Sequence, residues 1–198
     1  MRLIAVMIFS VLLVCNCNES NRHTSAVSKD TTGIIIKPKD TSLATSNDDS
    51  DDLELTTIVN DLKSEYSKTL NVDTTFARGL DTFRLLFNYK CLFDSSLLIP
   101  KKYVDIYGFE SFKTHNFEAN LILFKNRIKI LDDKITKSKF ANQIDESLKR
   151  YATLFYPYIK IEDSIIKVHF SVSIPLTDVG VATAYIAKFD GQTYSQGD

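Results

Sequence analysis

The chain has 198 residues with 24 Lys and Arg against 25 Asp and Glu, and 44% of it is hydrophobic, including 13 Phe and 9 Tyr. So even a balance, without a basic stripe, excludes nucleic acid as a partner, since neutralising phosphates needs clustered Lys and Arg. The three cysteines are Cys15, Cys17 and Cys91, too few and too unevenly placed for a disulfide framework, so the fold must be held by its core.

The chain begins with an export signal. Arg2 supplies the positive start and Leu3 to Val14 an apolar run broken only by Ser10, the length of a signal core and too short for a stable bilayer-spanning helix. Residues 1–16 are read as this signal, and its removal leaves 23 basic against 25 acidic residues. The run ends in Cys15-Asn16-Cys17. A lipoprotein signal is cut just before a cysteine that receives the lipid, and the residue ahead of that cysteine should be small. Asn16 is compact and Val14 β-branched, which favours Cys17 as the lipid attachment, with Cys15 as the alternative and simple secretion after Cys17 as a third reading. A metal or disulfide role for the pair would need further Cys or His at usable spacing, and none follows.

Residues 17–52 have the composition of a polar tether: after Cys17 there is no aromatic residue, Ser, Thr, Asp and Asn abound, and the one apolar cluster, Gly33 to Ile36, runs into Lys37-Pro38-Lys39. "NDDSDD" at 47–52 lacks the central Gly and the terminal Glu of a calcium loop.

Residues 53–198 are expected to form a single domain. Leu55, Ile58, Val59, Leu62 and Tyr66 step by three and four, predicting an amphipathic helix over 53–70. From 81 to 94, Phe83, Leu85, Phe87, Tyr89, Cys91 and Phe93 alternate with Arg84, Asn88 and Lys90, the mark of a half-buried strand. Strand-like runs follow at 102–106, 117–124, 127–131, 159–161, 165–174 and 179–189, with turn chemistry in "LDDK" at 131–134, "IEDS" at 161–164 and "FDGQ" at 189–192. Phe140, Ile144, Leu148, Tyr151, Ala152 and Phe155 fall on one side of a helix starting near Ser138 and stopping at Tyr156-Pro157. The expected fold is α+β, a mainly antiparallel meander of six or seven strands with one or two helices packed on it.

The signal with its terminal cysteine, the tether, "NRIKI" at 126–130, and "SVSIPLTDVGV" at 171–181 followed by "FDG" together resemble a family of uncharacterised lipoproteins from Bacteroidetes, over roughly residues 76–192. The resemblance implies a diderm envelope protein, and it implies no activity, cofactor or catalytic residue.

Residues able to do chemistry are sparse. Of three histidines, His23 lies in the tether, His115 lies near Glu110 and Glu118 in sequence, and His169 sits in a strand opposite Val168 and Phe170. Scattered ligands of this kind argue for no metal. A Cys91, His169 and Asp178 nucleophile set is conceivable, but Cys91 reads as core. There is no G-x-S-x-G, phosphate loop or H-E-x-x-H, and no cofactor is implied. Pro175 should end one strand, with Asp178 bonding the backbone of the turn into the next; Thr177 and Asp178 are otherwise candidate partner contacts. Tyr151, Tyr156 and Tyr158 read as core-completing aromatics more than as a ligand platform. Two functions follow from these readings. One is a non-enzymatic outer-membrane lipoprotein, facing the periplasm or the surface, that binds an envelope protein, glycan or peptide. The other is a small hydrolase or isomerase with an unrecognised site; a secreted soluble form is the alternative location.

Overall fold

The computed structural model describes residues 34–36 and 51–197. The signal, Cys15, Cys17, His23 and most of the expected tether lie outside them. In chain order the elements are β1 (Ile34–Ile36), α1 (Asp51–Glu65), β2 (Leu70–Arg78), β3 (Asp81–Cys91), β4 (Leu97–Pro100), α2 (Lys101–Val104) with a 3-10 turn at Asp105–Tyr107, β5 (Ser111–Thr114), β6 (Phe117–Lys125), β7 (Ile128–Ile135), a 3-10 turn at Lys137–Phe140, α3 (Glu146–Tyr151), β8 (Thr153–Ile161), β9 (Ile165–Ser173), β10 (Gly180–Lys188) and β11 (Thr193–Gly197).

The strands are mostly long antiparallel partners in two sheets, ordered β1-β8-β9-β10-β11 and β2-β3-β6-β7, with β4 and β5 as a separate pair. The fold is therefore β-rich with few helices, and it has more strands than the six or seven expected. Inward residues of both sheets share one buried cluster. Contacts tie the sheets together at each end: Tyr89 donates to the carbonyl of Leu154 at 2.9 Å and Phe117 meets Phe155 at one, while Phe83 meets Phe189, with ring centres 4.6 Å apart, at the other. Among the described residues no helix is long and apolar enough to cross a membrane.

β3 follows its sequence pattern, with Phe83, Leu85, Phe87, Tyr89 and Cys91 buried. Phe93 departs from it: its φ is 51° and its ring is exposed, because the chain leaves the sheet after Cys91. Four further expectations fail for physical reasons. Residues 102–106 are helical, since Pro100 starts a turn at an extended φ/ψ, Val104 plugs the core and Gly108 closes the segment in the left-handed region. Residues 131–134 continue β7, because the hairpin turns earlier, at Asn126-Arg127, and the two aspartates have cations at hand, Asp132 with Lys129 and Asp133 with Lys139. The helix expected from Ser138 begins only at Glu146, where the Asp145 carboxylate caps the Leu148 amide at 2.8 Å. It ends at Tyr151, so Phe155 reaches the core from a strand. Tyr156-Pro157 forms a bulge inside β8, with Tyr156 at φ 52° and the register against β9 shifted between Phe155 and Tyr158. Finally, Ile34–Ile36, inside the stretch read as tether, pairs with Ile159–Ile161 as an edge strand.

Candidate functional site

One cleft, of about 630 Å³, opens at the end of the sheets where β8 begins and β9 ends. That volume suits a small ligand or a few residues of a chain. One wall is α1, whose Ile58, Asp61, Leu62 and Glu65 recur at helical spacing. A second is the segment after Pro100, which presents Lys102, Tyr103, Ile106 and Tyr107. Phe155 and Tyr156 of the bulge and residues 173–179 complete it.

The 173–179 loop is built by its own hydrogen bonds. The Ile174 amide donates to the Val179 carbonyl at 2.9 Å. The Thr177 hydroxyl donates to the Ile174 carbonyl at 2.9 Å and accepts from the Val179 amide at 3.0 Å. Leu176, at φ 65°, is held by Tyr107, whose hydroxyl donates to its carbonyl at 3.0 Å. Thr177 thus does the turn-closing expected of Asp178, which instead stands exposed at the rim. Both residues line the cleft.

Ile106 is 71% exposed and Tyr156 64%, with Ile58 and Val179 also exposed; all four border the cleft. Asp61, Glu65 and Asp178 give it an acidic margin, with Lys102 opposite, its ammonium 4.6 Å from the centre of the Tyr103 ring. The Tyr156 phenol titrates above its ordinary range: surrounding protein removes water from it, and Glu65 and Asp61 add negative charge, against a smaller opposing effect of Lys68.

The other candidate residues are dispersed. Cys91 is buried at the end of β3, with its thiol pushed up by burial, which leaves it a poor nucleophile. His169 is buried in β9, stacked on Tyr158 with ring centres 4.2 Å apart, and Asp178 lies in the loop beyond. The three do not form a nucleophile set. The glutamates near His115 in sequence have other partners, Glu110 pairing with Lys101 and Glu118 with Lys134. Nδ1 of His115 accepts from the Ser95 amide at 2.9 Å, and Tyr66 packs edge-on against the ring. Beside it the Asp94 carboxylate is partly desolvated, yet hydrogen bonds from Ser96 and Asn116 outweigh this and hold it far below the usual range. That arrangement shapes the loop between β3 and β4. Among the described residues no group of three or more His, Cys, Asp or Glu could hold a metal ion.

Sequence reasoning placed Ile58 on the core face of its helix and read Tyr156 as core-completing. Ile106 and Val179 carried no signal beyond membership of strand-like runs. The Tyr156-Pro157 step was the available clue, because proline inside a strand marks a bulge and a bulge re-aims a side chain. No protein-family model matches the chain, and no curated protein matches it.

Proposed function

We propose that the protein is a binding module of the cell envelope, carried on a membrane by a lipid on Cys17, with Cys15 as the alternative site, and that its cleft takes a short apolar segment of another envelope protein. The observation that supports this reading is the convergence of four exposed apolar side chains, Ile58, Ile106, Tyr156 and Val179, on the rim of a single concavity. Isolated exposed apolar residues are ordinary on a protein surface, but their concentration around one cleft marks a contact site. The acidic margin favours a segment carrying a basic residue beside its apolar one.

The test is photo-cross-linking in envelopes of a diderm host, with a benzophenone residue replacing Val179. A cross-linked product that disappears in Tyr156→Ala and in Ile106→Asp supports the cleft; a pattern unchanged by either variant rejects it. Intact mass of the same purified protein checks the anchor. A diacylglyceryl adduct on Cys17 is expected, and an unmodified chain beginning at Asn18 rejects lipidation.

A further inference from the structure

The end of the sheets opposite the cleft carries a different surface. There the β2–β3 and β6–β7 hairpins turn side by side, because β3 and β6 are neighbours with Phe83 opposite Lys125. The first turn is Gly79-Leu80, with Gly79 at φ 59° and Leu80 fully exposed. The second is Asn126-Arg127, at φ 50° and 71°, followed by Ile128, which is 70% exposed.

Turn chemistry does not ask for these side chains. A two-residue hairpin with both φ values positive is most readily closed by Asn-Gly, since glycine fills the second left-handed position without strain. This chain puts Arg127 there. A leucine gains nothing at a tip where it touches water on all sides, and Ile128 repeats the pattern beside it.

The two tips are fastened into one platform. The Asn126 amide donates to the Thr82 carbonyl at 2.8 Å, and the Thr82 amide donates to Asn126 Oδ1 at 2.9 Å. Asp81 accepts from Asn126 Nδ2 at 2.7 Å and pairs with Lys125 at 2.8 Å. Of the carboxylates nearby, Asp132 pairs with Lys129, and Asp190, on the neighbouring β10–β11 turn, accepts from the neutral Gln192 amide and keeps its charge. Arg127 is exposed on the second tip, while Arg78 is half-buried with its guanidinium carbon 5.6 Å from the centre of the Phe76 ring.

The geometry points to an anionic lipid surface as the partner of this end, with Leu80 and Ile128 entering the interface and Arg127 meeting a lipid phosphate. Exposed aliphatic tips flanked by basic residues match both the apolar and the charged layers of such a surface. The chain's course favours a bilayer over an acidic protein. Ile34 lies opposite Ile161, the last residue of β8, so β1 is entered from this same end. Cys17 precedes Ile34 by seventeen residues, which span at most about 60 Å. This choice of occupant rests in part on the lipid reading of Cys17, while the tips themselves are independent of it. A domain seated this way would turn its cleft away from the membrane.

Hydrogen exchange of the full chain tests the platform directly, first in solution, then with phosphatidylcholine vesicles, then with mixed phosphatidylcholine–phosphatidylglycerol vesicles. The expected result is a several-fold slowing of exchange in segments 79–82 and 126–129 on the mixed vesicles alone, with segment 174–179 at the cleft unchanged. A Leu80→Asp, Arg127→Glu double variant should lose that slowing and keep its circular dichroism spectrum. Chain that binds vesicles through its N-terminus while the tips exchange as in solution would overturn the proposal. So would equal slowing on both kinds of vesicle, or no binding at all. Loss of lipid from Cys17 leaves the tip protection as the readout, so failure of the anchor and failure of the platform are told apart.

Discussion

The phenol of Tyr185, on β10, donates a hydrogen bond to Oδ2 of Asp133, on β7, and so joins the two sheets by a charge-assisted contact between strands 52 residues apart. Lys139 reaches the same carboxylate from the 3-10 turn, at 2.8 Å. Tyr185 is buried, while Asp133 and Lys139 remain partly open to solvent. A hydrogen bond to a charged group contributes about 1.5–3 kcal/mol, so Tyr185→Phe is expected to lower stability by an amount in that range. Burial, and then the bond to Asp133, push the Tyr185 phenol far above its ordinary value near 10. The folded chain therefore keeps a proton that the unfolded chain gives up first. The stability tied to it is whole below about pH 10 and is lost as pH rises further. Urea midpoints taken between about pH 9 and about pH 11 should fall in the wild type and fall less in Tyr185→Phe; parallel curves would show that the bond does not form. Tyr89, also raised well above its ordinary value by burial first, accounts for an alkaline loss that persists in the variant.

Leu148 is the middle of α3 and is buried, whereas Lys149 beside it faces solvent and pairs with Glu146. A six-residue helix has little stability of its own. It is held by the Asp145 cap at one end and by Leu148 driven into the shared core. Leu148→Ala should cost about 2–5 kcal/mol, while Lys149→Ala, which removes an exposed ion pair, should stay within about 0.5 kcal/mol. Urea melts of the two variants give the comparison. Small and equal losses would mean that the helix does not rest on the core.

These residues also show how much of the molecule could be read in advance. Phe140, Ile144, Leu148 and Phe155 were identified as core by their spacing, and they are buried. One helix was inferred from that spacing, yet a 3-10 turn, a short helix and a strand present the same side chains. Periodicity reports which positions seek the core and leaves the backbone route open, and here the Asp145 cap and the Pro157 bulge set the route. β3, β6, β9 and β10 were legible because each alternates cleanly or stays apolar. β2 was not, since Asp73 and two threonines dilute its pattern and its Asp73–Arg84 pair becomes visible only when β3 lies beside it. The cleft was legible only at Thr177 and Asp178. Its other walls come from α1, the segment after Pro100 and the Tyr156 bulge, which are distant in sequence and meet only through the fold.

Gly180 opens β10 directly opposite Ser173, the last residue of β9 and part of the cleft lining. A Cβ placed on Gly180 would lie 2.5 Å from the Ser173 Cβ, 3.0 Å from its Cα and 3.1 Å from the Val172 carbonyl oxygen. Two of those atoms are backbone, so no side-chain rotation relieves the contact, and the two strands must part where the 173–179 loop leaves them. Overpacking of this kind typically costs about 1–3 kcal/mol. Gly180→Ala is expected to lose stability in that range, and to weaken cross-linking at position 179 because the loop that carries it is displaced. Ser173→Gly removes the nearest of the three atoms. The double variant Gly180→Ala, Ser173→Gly should therefore be more stable than the sum of the single losses requires, with a coupling of at least about 0.5 kcal/mol, the level at which contacting residues depart from additivity. Strictly additive urea midpoints would show that the strands do not approach this closely.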